Sequence, residues 1–478
     1  MRSIGIICEY NPFHKGHQRQ LRLARELAGE DCALVCLMSG NYVQRGEPAI
    51  FPKMLRAEAA LRCGADLVLE LPLTAALSSA EGFAAGGVSI LTALGCDALC
   101  FGTESDDCNL IMSTAKANLD PAFDALLRAE LSTGRSYPAA RQRVIDTLVG
   151  ADAHIGPSSE TQPAPNAVGA DAHIGPPSED QPAPNAVGAD AHIGPPSENH
   201  QPSILSNPND ILAVEYCKAI LKQGSPVKPL PIRRTGAYHA EALDPEAPSA
   251  TALRAVLRSA CRGGHWPPAQ GDVCQSCHCE ASAHTGRGNP SPDWRCAVPE
   301  QLHDLYTSAP IHTMQAGERA VLGILRTLPE AAFRALPFGS EGLWSKFMKN
   351  CRSCASVNEI IDATKSKRYT RTRIQRMLLC AFLGLTAADL ERQPPYVRVL
   401  GFTDRGRAAL REMKKRLEAR GSQSGDGSLI ELVNAGQTPP DPAWLALETR
   451  AADLYSLFSE AGPRPAGEED RLRVCVIP

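Results

Sequence analysis

Gly5-Ile6-Ile7-Cys8-Glu9-Tyr10-Asn11-Pro12-Phe13-His14-Lys15-Gly16-His17, residues 5–17, is the stretch that decides the fold of this 478-residue chain. It begins in an apolar run, passes through a turn that contains proline, and ends where a helical pattern starts near Gln18. The order strand, short loop, helix is the first half of a βα unit. Because open parallel sheets bind ligands at the carboxyl ends of their strands, we expect this loop to be a binding site.

The loop places His14 and His17 on either side of Gly16. A helix N-terminus presents free N–H groups and the positive end of the helix dipole, so it favours phosphate. Gly16 lets a nucleotide approach the backbone closely. Two imidazoles there can donate hydrogen bonds to phosphate oxygens as charge moves from the α-phosphorus to the leaving pyrophosphate. A loop with two solvated histidines is the alternative. The position at the end of the first strand favours adenylyl transfer from ATP, with His14 and His17 as catalytic residues.

Strand-like and helical patterns alternate over residues 1 to about 105. The predicted strands are Ile4–Cys8, Ala33–Met38, Leu67–Leu71 and Ala98–Phe101, and the predicted helices are His17–Ala28, Lys53–Cys63 and Ala80–Leu94. Apolar strands that alternate with helices predict an α/β fold with a Rossmann-like, doubly wound parallel sheet. The sequence pattern from about residue 107 to residue 148 predicts helices.

Ordered patterns resume after residue 203 and continue to the end of the chain. We predict a helix from Asn209, a strand over Pro229–Arg234 and a helix that starts at Ser249. Residues from about 300 to 420 read as helical throughout. The remaining residues predict a polar loop, one helix and a closing strand near Leu472–Ile477.

Composition and charge narrow the class of protein. The apolar fraction of 43% is that of a globular chain, and the length predicts two or three domains. The formal net charge of −4 gives no global field that attracts nucleic acid, so RNA binding requires a local basic patch. No apolar stretch reaches the roughly 18 residues of a membrane span, and the first residues do not resemble a signal peptide, so we expect a cytoplasmic protein.

Cysteines in apolar runs are expected to be buried thiols rather than disulfide partners: Cys8, Cys32, Cys36, Cys96 and Cys100.

Two stretches interrupt these patterns. A 19-residue repeat starts at Val149, Val168 and Val187, and its lack of aromatic residues predicts a disordered insertion over residues 149–202. Residues 259–299 contain Cys274-Gln275-Ser276-Cys277, but the second spaced pair of a zinc site is missing, so we expect a cysteine-rich irregular insertion, with a zinc site as the alternative. The chain therefore divides into a nucleotide-binding domain of residues 1–148 and 203–258 and a mostly helical domain of residues 300–478.

Three further segments are candidates for the nucleotide site. Residues 38–48 place Asn, Gln, Arg and Glu side chains at the carboxyl end of the second strand. Gly102 follows the fourth strand, where it either lets an adenine or ribose lie against the backbone or forms an ordinary turn. Ser249 is a good helix N-cap, and Thr251 and Arg254 are candidate ligands of the β- and γ-phosphates.

A basic segment lies in the C-terminal half. Residues 365–376 contain six basic side chains and no acid, ahead of an apolar helical run at Met377–Leu385. Cations at a helix N-terminus oppose its dipole, so their presence favours an anionic partner over a merely solvated helix start. Tyr369 among them can stack on a base. We therefore predict contact with RNA.

Together these motifs resemble one family, the bacterial tRNA(Met) cytidine acetate ligases, a branch of the HIGH-type nucleotidyltransferases. The matching stretches are residues 5–17, residues 38–49, Glu70-Leu71-Pro72, Phe101-Gly102-Thr103-Glu104, Pro208-Asn209-Asp210-Ile211-Leu212, Arg233-Arg234, Tyr238-His239, Ser249-Ala250-Thr251 and residues 365–370. They cover residues 1–148, 203–258 and about 300–400. The resemblance implies that ATP activates acetate as acetyl-adenylate and that the acetyl group is transferred to N4 of the wobble cytidine in elongator tRNA(Met).

The resemblance also implies a set of site residues. The expected nucleotide contacts are Ile6, Ile7, Cys8, Glu9, Tyr10, Asn11, Pro12, Phe13, His14, Lys15, Gly16, His17, Gly102, Asn209, Arg234, Ser249 and Thr251. We expect Mg²⁺ to accompany ATP, with no metal site made by the protein alone. The expected tRNA contacts are Lys365, Lys367, Arg368, Tyr369, Arg371 and Arg373. Ala240 departs from the family pattern, which has an acid after Tyr-His.

Two other functions are compatible with parts of this pattern. A small-molecule adenylyltransferase of the same superfamily would share the histidine loop and the Ser-Ala-Thr helix, but it would not need residues 300–478 or the basic segment. A non-catalytic RNA-binding protein with a vestigial nucleotide site is the second alternative. The presence of both histidines and of Arg254 argues against it.

Overall fold

The computed structural model describes residues 1–105, 107–135, 137–153, 207–234, 243–244, 248–262, 293–424, 430–467 and 469–478. The predicted repeat insertion beyond residue 153, the cysteine-rich stretch over 263–292 and the Tyr238-His239-Ala240 segment lie outside these ranges. Two limits of the predicted insertions differ from the structure, because helices continue to Ala153 and to Arg262.

The strands form one large sheet and one small hairpin. In chain order they are β1 (Ser3–Cys8), β2 (Ala33–Ser39), β3 (Tyr42–Val43), β4 (Glu47–Pro48), β5 (Leu67–Leu71), β6 (Ala98–Thr103), β7 (Lys228–Arg233), β8 (Tyr396–Phe402), β9 (Glu431–Asn434) and β10 (Cys475–Val476). The main sheet has the order β10-β8-β5-β2-β1-β6-β7, and β9 also pairs with β8. β3 and β4 pair antiparallel as a separate hairpin.

Helices cover the sheet and build the second half of the molecule. Those of the first 262 residues are α1 (Lys15–Ala28), α2 (Lys53–Arg62), α3 (Leu73–Ala76), α4 (Ala80–Ala93), α5 (Cys108–Ala117), α6 (Phe123–Ser132), α7 (Tyr137–Ala153), α8 (Pro208–Lys222) and α9 (Ala250–Arg262). Those that follow are α10 (His303–Thr307), α11 (Glu318–Thr327), α12 (Glu330–Arg334), α13 (Leu343–Ser353), α14 (Val357–Thr364), α15 (Arg371–Leu383), α16 (Ala387–Glu391), α17 (Asp404–Ser424) and α18 (Pro442–Tyr455).

The sheet is buried on both faces, which explains the continuous apolar runs of its strands. One face packs against α1, α2 and α9 through residues such as Leu21, Ala57 and Leu253. The other face packs against α4, α5, α8 and α17. β1, β2, β5, β6 and β7 run parallel. The predicted doubly wound α/β fold is thereby confirmed.

The sequence-based expectation that residues 300 to about 420 are helical throughout was wrong at β8. Residues 396–402 form a strand that pairs antiparallel with β5, so the sheet is mixed rather than purely parallel. The segment is short, and five of its seven residues are hydrophobic. Such a run cannot be assigned to strand or helix by periodicity alone. The predicted closing strand is confirmed in shorter form as β10, which pairs parallel with β8.

The C-terminal half has a core of its own. α11, α13, α14, α15 and α18 bury apolar side chains against one another, including Phe347, Ile360 and Leu379. Tyr42 of the β3–β4 hairpin belongs to the same cluster, and its hydroxyl donates to the carbonyl oxygen of Ala451 at 3.0 Å. The helical half is therefore packed directly against the loop that follows β2.

Candidate active site

A cavity of about 570 Å³ opens at the carboxyl edge of the sheet, where β1, β6 and β7 end. Its walls come from the loop between β1 and α1, the β3–β4 hairpin, and the starts of α8 and α9. Thr372 of α15 also lines it. The volume lies within the roughly 300–1,000 Å³ typical of small-molecule sites, and the position is where parallel sheets bind ligands.

Most of the residues predicted to contact nucleotide line this cavity. They are Ile7, Cys8, Glu9, Tyr10, Asn11, His14, Gly16, His17, Gly102, Asn209, Arg234 and Thr251. Ile6, Pro12, Phe13, Lys15 and Ser249 do not line it. Ile6 and Phe13 are buried in the core on one face of the sheet, and Lys15 is exposed.

His14 is the N-cap of α1. Its Nδ1 accepts a hydrogen bond from the backbone N–H of Gly16 at 3.1 Å, and the backbone N–H of His14 donates to Nδ1 of His17 at 3.3 Å. Each neutral ring therefore carries its proton on Nε2, as this hydrogen-bond pattern assigns. The two rings stack with centroids 3.8 Å apart. The geometry leaves two Nε2–H donors beside each other at the helix N-terminus.

Both imidazoles are neutral near pH 7. Burial, with the guanidinium groups of Arg234 and Arg254, lowers the pKa of His14 to about 3. Burial, with His14 and Arg234, lowers the pKa of His17 well below its ordinary value. The pair therefore presents hydrogen-bond donors without a net charge.

Hydrogen bonds to the backbone hold the loop in shape. Nη1 of Arg254 donates to the carbonyl oxygen of Asn11 at 2.7 Å, and the side-chain oxygen of Asn11 accepts from the N–H of Ile50 at 2.8 Å. Fully buried Arg56 donates to the carbonyl oxygens of Glu9 and Ser39. The peptide bond between Asn11 and Pro12 is cis. Asn11 thus ties the histidine loop to the segment after the hairpin.

The far wall of the cavity comes from β6, α8 and β7. Nη1 of Arg234 donates to the side-chain oxygen of Asn209 at 3.2 Å, and Asn209 donates in turn to the carboxylate of Glu104. A Cβ built on Gly102 would approach the Cγ and Cδ of Arg234 to 3.0 Å. Glycine at this position therefore leaves room for the Arg234 side chain along the cavity wall.

Ser249 serves as the N-cap of α9. Its hydroxyl accepts from the N–H of Ala252 at 3.0 Å, and the residue is buried. Thr251 and Arg254, one turn further on, line the cavity, and Nη2 of Arg254 donates to Oγ1 of Thr251 at 3.3 Å. The structure thus separates the capping residue from the two residues that face the ligand space.

The basic segment of residues 365–376 spans the loop between α14 and α15 and the first turns of α15, whose N-cap is Thr370. Internal partners compensate several of its cations. Arg368 pairs with Glu341 at 2.5 Å, Arg371 pairs with Asp362 at 2.8 Å, and Arg373 donates to the carbonyl oxygen of Phe338. The hydroxyl of Tyr369 also donates to Glu341 at 3.1 Å. Lys365 and Lys367 are exposed and make no ion pair with the described residues.

Several residues that line the cavity were not predicted from the sequence. Arg19 and Gln20 on α1 carry a weak signal, because they lie within one turn of His17. Phe83 of α4 and Tyr216 of α8 add apolar walls. No local sequence pattern predicts that Thr372 lines the cavity, because only the packing of the helical C-terminal half against the sheet brings it there.

Other expectations concern cysteines, metals and membranes. Cys32, Cys36, Cys96 and Cys100 are buried free thiols as expected, whereas Cys8 is only partly buried and lines the cavity. Within the described ranges, no group of three or more His, Cys, Asp or Glu side chains could hold a metal ion. No helix in the described part of the chain is long and apolar enough to cross a membrane.

Comparison with known proteins places this geometry in context. The family described as HIGH Nucleotidyl Transferase matches residues 1–470. The tRNA(Met) cytidine acetate ligase of Acetivibrio thermocellus is 30% identical over 100% of both chains. That of Clostridium novyi is 33% identical over 87% of this chain and 88% of its own. The structure of Thermotoga maritima TmcAL bound with alpha-thio ATP covers 100% of both chains with 26% identity and a TM-score of 0.71, and the apo form gives a TM-score of 0.73.

Proposed function

The chain belongs to the HIGH nucleotidyl transferase family, and within it to the tRNA(Met) cytidine acetate ligases, and we propose that it is an ATP-dependent ligase that acetylates tRNA(Met). The reaction has two steps. Acetate and ATP give acetyl-adenylate and pyrophosphate, and the acetyl group then passes to N4 of the wobble cytidine of elongator tRNA(Met). A tRNA substrate places the activity in the cytoplasm.

The observation that carries this proposal is the neutral histidine pair at the N-terminus of α1, inside a cavity of nucleotide size. In the first step an acetate oxygen attacks the α-phosphorus, the bond to the β-phosphate bridging oxygen breaks, and pyrophosphate leaves with the electron pair. The Nε2–H groups of His14 and His17 donate to the oxygens on which charge increases. Arg234 and Arg254 add positive charge near the same histidines.

In the second step the protein positions two substrates and supplies no covalent intermediate. N4 of cytidine attacks the acetyl carbon, the bond to the adenylate oxygen breaks, and AMP leaves with the electron pair. Cys8 lines the cavity, but burial raises the pKa of its thiol well above the ordinary value. A protonated thiol is a poor nucleophile, so the proposed mechanism gives Cys8 no role as an acyl carrier.

Mg²⁺ would arrive with ATP. It is usually held by substrate phosphates together with one or two carboxylates, rather than by a cage made only of protein groups. Glu9 supplies such a carboxylate in the cavity, where burial raises its pKa and the N–H of Gln44 donates to its Oε1 at 2.6 Å. We propose that Glu9 would help to hold a cation that neutralises the triphosphate.

The helical half supports tRNA as the second substrate over a small molecule. α15 contributes Thr372 to the nucleotide cavity, and the loop between α14 and α15 carries the exposed Lys365 and Lys367. A small-molecule adenylyltransferase would have no use for this basic segment. We propose that the tRNA contact surface consists of Lys365, Lys367, Arg368, Tyr369, Arg371 and Arg373, of which the last four also have internal partners.

The test is a reaction with ATP, labelled acetate and tRNA(Met), with each component omitted in turn. We expect labelled N4-acetylcytidine only in the complete mixture, and acetate-dependent release of pyrophosphate without tRNA. Acetylation that proceeds without ATP would contradict the proposal. Adenylylation of a small nucleotide in place of acetate would favour the small-molecule adenylyltransferase.

A further inference from the structure

A second, smaller pocket of about 220 Å³ adjoins the nucleotide cavity. Its walls come from the β3–β4 hairpin, α9, α11, α14 and α15. Glu47 lines both spaces, and the neighbouring residues Arg371 and Thr372 line one each. The two pockets therefore share a wall. The small pocket lies below the roughly 300 Å³ at which sites for larger ligands begin, so it suits a single ring.

The lining of this pocket is mixed. Its apolar residues are Pro48, Met314, Val357, Ile361 and Leu378, and they lie among polar side chains such as Gln315, Glu318 and Asn358. Glu47 and Arg258 form an ion pair with Nη2 3.8 Å from Oε2, and Nε2 of Gln375 donates to Oε1 of Glu47 at 3.2 Å. Nε of Arg258 is buried, and among the described residues it has no hydrogen-bond partner. A buried donor without a partner is unfavourable, and a ligand with an acceptor would satisfy it.

We propose that this pocket holds the base of the target cytidine, flipped out of the anticodon loop; the inference rests on the proposed acetylation of tRNA. The Watson–Crick edge of cytosine presents one donor, N4–H, followed by two acceptors, N3 and O2. Glu47 supplies the matching acceptor, and Arg258 supplies the matching donors. The apolar residues of the lining provide the surface against which the ring packs. Enzymes that act on a base bring it out of the stack in this way.

The shared wall explains how the reacting atom reaches the adenylate. A base whose N4 amino group donates to Glu47 has that nitrogen at the boundary between the two pockets. When the N4–carbon bond forms and AMP leaves with the electron pair of the broken carbon–oxygen bond, N4 loses one proton. The Glu47 carboxylate accepts it. Uracil presents O4 at this point, so its carbonyl would face the carboxylate and gain no hydrogen bond.

Binding of anticodon stem-loops of tRNA(Met) tests the pairing pattern. The wild-type chain should bind a loop with cytidine at the wobble position more tightly than one with uridine.

Arg258→Ala should weaken binding of the cytidine loop about tenfold or more, because a good two-bond contact with a base discriminates by about 1–3 kcal/mol. Arg258→Lys keeps the charge without the planar fork and should lose part of the preference, which separates recognition from a folding defect. Arg319→Ala removes an equal charge on α11 outside the pocket and should have no effect. Equal binding of both loops by the wild type would overturn the inference.

Photo-crosslinking tests the location directly. Full-length tRNA(Met) with 5-iodocytidine at the wobble position keeps the N4, N3 and O2 edge of cytosine, and it should crosslink to peptides that contain residues 314–318, 357–361 or 371–378, which line the pocket. Crosslinks elsewhere, in a preparation that acetylates normal tRNA(Met), would refute the pocket while leaving the proposed function intact. A wild-type preparation that makes no acetylcytidine from ATP, acetate and tRNA would instead refute the proposed function.

Discussion

At the scale of single residues, His14 combines two roles on the two nitrogens of one ring. Nδ1 accepts from the N–H of Gly16 and so caps α1, which leaves Nε2–H as the donor toward the nucleotide cavity. A Cβ on Gly16 would lie 2.9 Å from Cε1 of His14, so glycine is required for the ring to take this position. The cap and the donor can therefore be separated by substitution.

We expect His14→Asn to keep the fold and to lose formation of acetyl-adenylate. The side-chain oxygen of asparagine can accept from the N–H of Gly16, since asparagine is a preferred N-cap, but it has no group in place of Nε2–H. Removal of one such donor costs about 3–4 kcal/mol of barrier, so acetate-dependent pyrophosphate release should fall at least about a hundredfold. His17→Ala should give a similar loss.

The matched measurement is the melting temperature of each variant beside its rate. A rate close to that of the wild type in His14→Asn, with unchanged circular dichroism, would show that the histidine serves only as a cap.

The stability of the protein should fall as the pH is lowered from about 6.5 toward about 3. The pKa of folded His14 is about 3 against an ordinary value of 6.5, so in this window the unfolded chain binds a proton that the folded chain does not. The contribution is fully present above pH 6.5 and is lost as the pH decreases. Urea unfolding at a series of pH values measures it, and His14→Asn should show a shallower slope. Parallel curves for the two proteins would contradict the pKa argument.

At the scale of elements, α15 connects the helical C-terminal half to the hairpin loop that lines the nucleotide cavity. It brings Thr372 to the nucleotide cavity, and Nη1 of Arg376 donates to the carbonyl oxygen of Gln44 at 3.3 Å in the hairpin loop. Gly46 lies against the backbone of α15 with a φ of +78°, so a side chain there would be strained and would meet Arg376. The hairpin loop and the helix are therefore one packed unit.

The exposed loop between α14 and α15 should govern tRNA affinity without affecting acetyl-adenylate formation. Exchange of Lys365, Lys367 and Arg368 for alanine removes three charges, and the slope of log affinity against log salt should decrease by up to about 2–3. Filter binding of tRNA(Met) over a salt series measures the slope. Exchange of Arg411, Lys414 and Lys415 on α17 for alanine removes the same number of exposed charges and is the matched control. Loss of ATP binding with normal tRNA binding would mean that the segment belongs to the nucleotide site.

At the scale of the whole molecule, a buried ion network connects distant parts of the chain. Nζ of Lys53 lies 2.8 Å from Glu70 and 2.7 Å from Glu469, and Arg398 lies 2.9 Å from Glu448 and 3.3 Å from Glu469. Burial raises the pKa of Glu70 to about 7, although Lys53 opposes the shift. The network ties α2 and β5 to β8, α18 and the C-terminal turn at Glu469, beneath the loop that leads to the hairpin.

Glu469→Ala should destabilise the protein by about 3–5 kcal/mol, because removal of one partner leaves buried charge uncompensated. Denaturant unfolding followed by fluorescence gives the free energy. Glu412→Ala breaks an exposed pair with Lys415 and should leave the stability nearly unchanged. A change below about 1 kcal/mol for Glu469→Ala would show that the rest of the network compensates for the loss.

The sequence by itself determined the βα unit of residues 5–17, the doubly wound sheet and the family. Each of these rests on local patterns: in the βα unit the strand period, the loop glycine, the histidine pair and the helix start lie within about two dozen residues, and the sheet and the family follow from a succession of such short motifs. Only the tertiary structure decided that β8 completes the sheet, that Thr372 reaches the nucleotide cavity, and that Arg258 faces Glu47. The partners in these contacts lie more than 200 positions apart in the chain. No local pattern encodes such pairings, because they are fixed by how the buried faces of whole elements pack together.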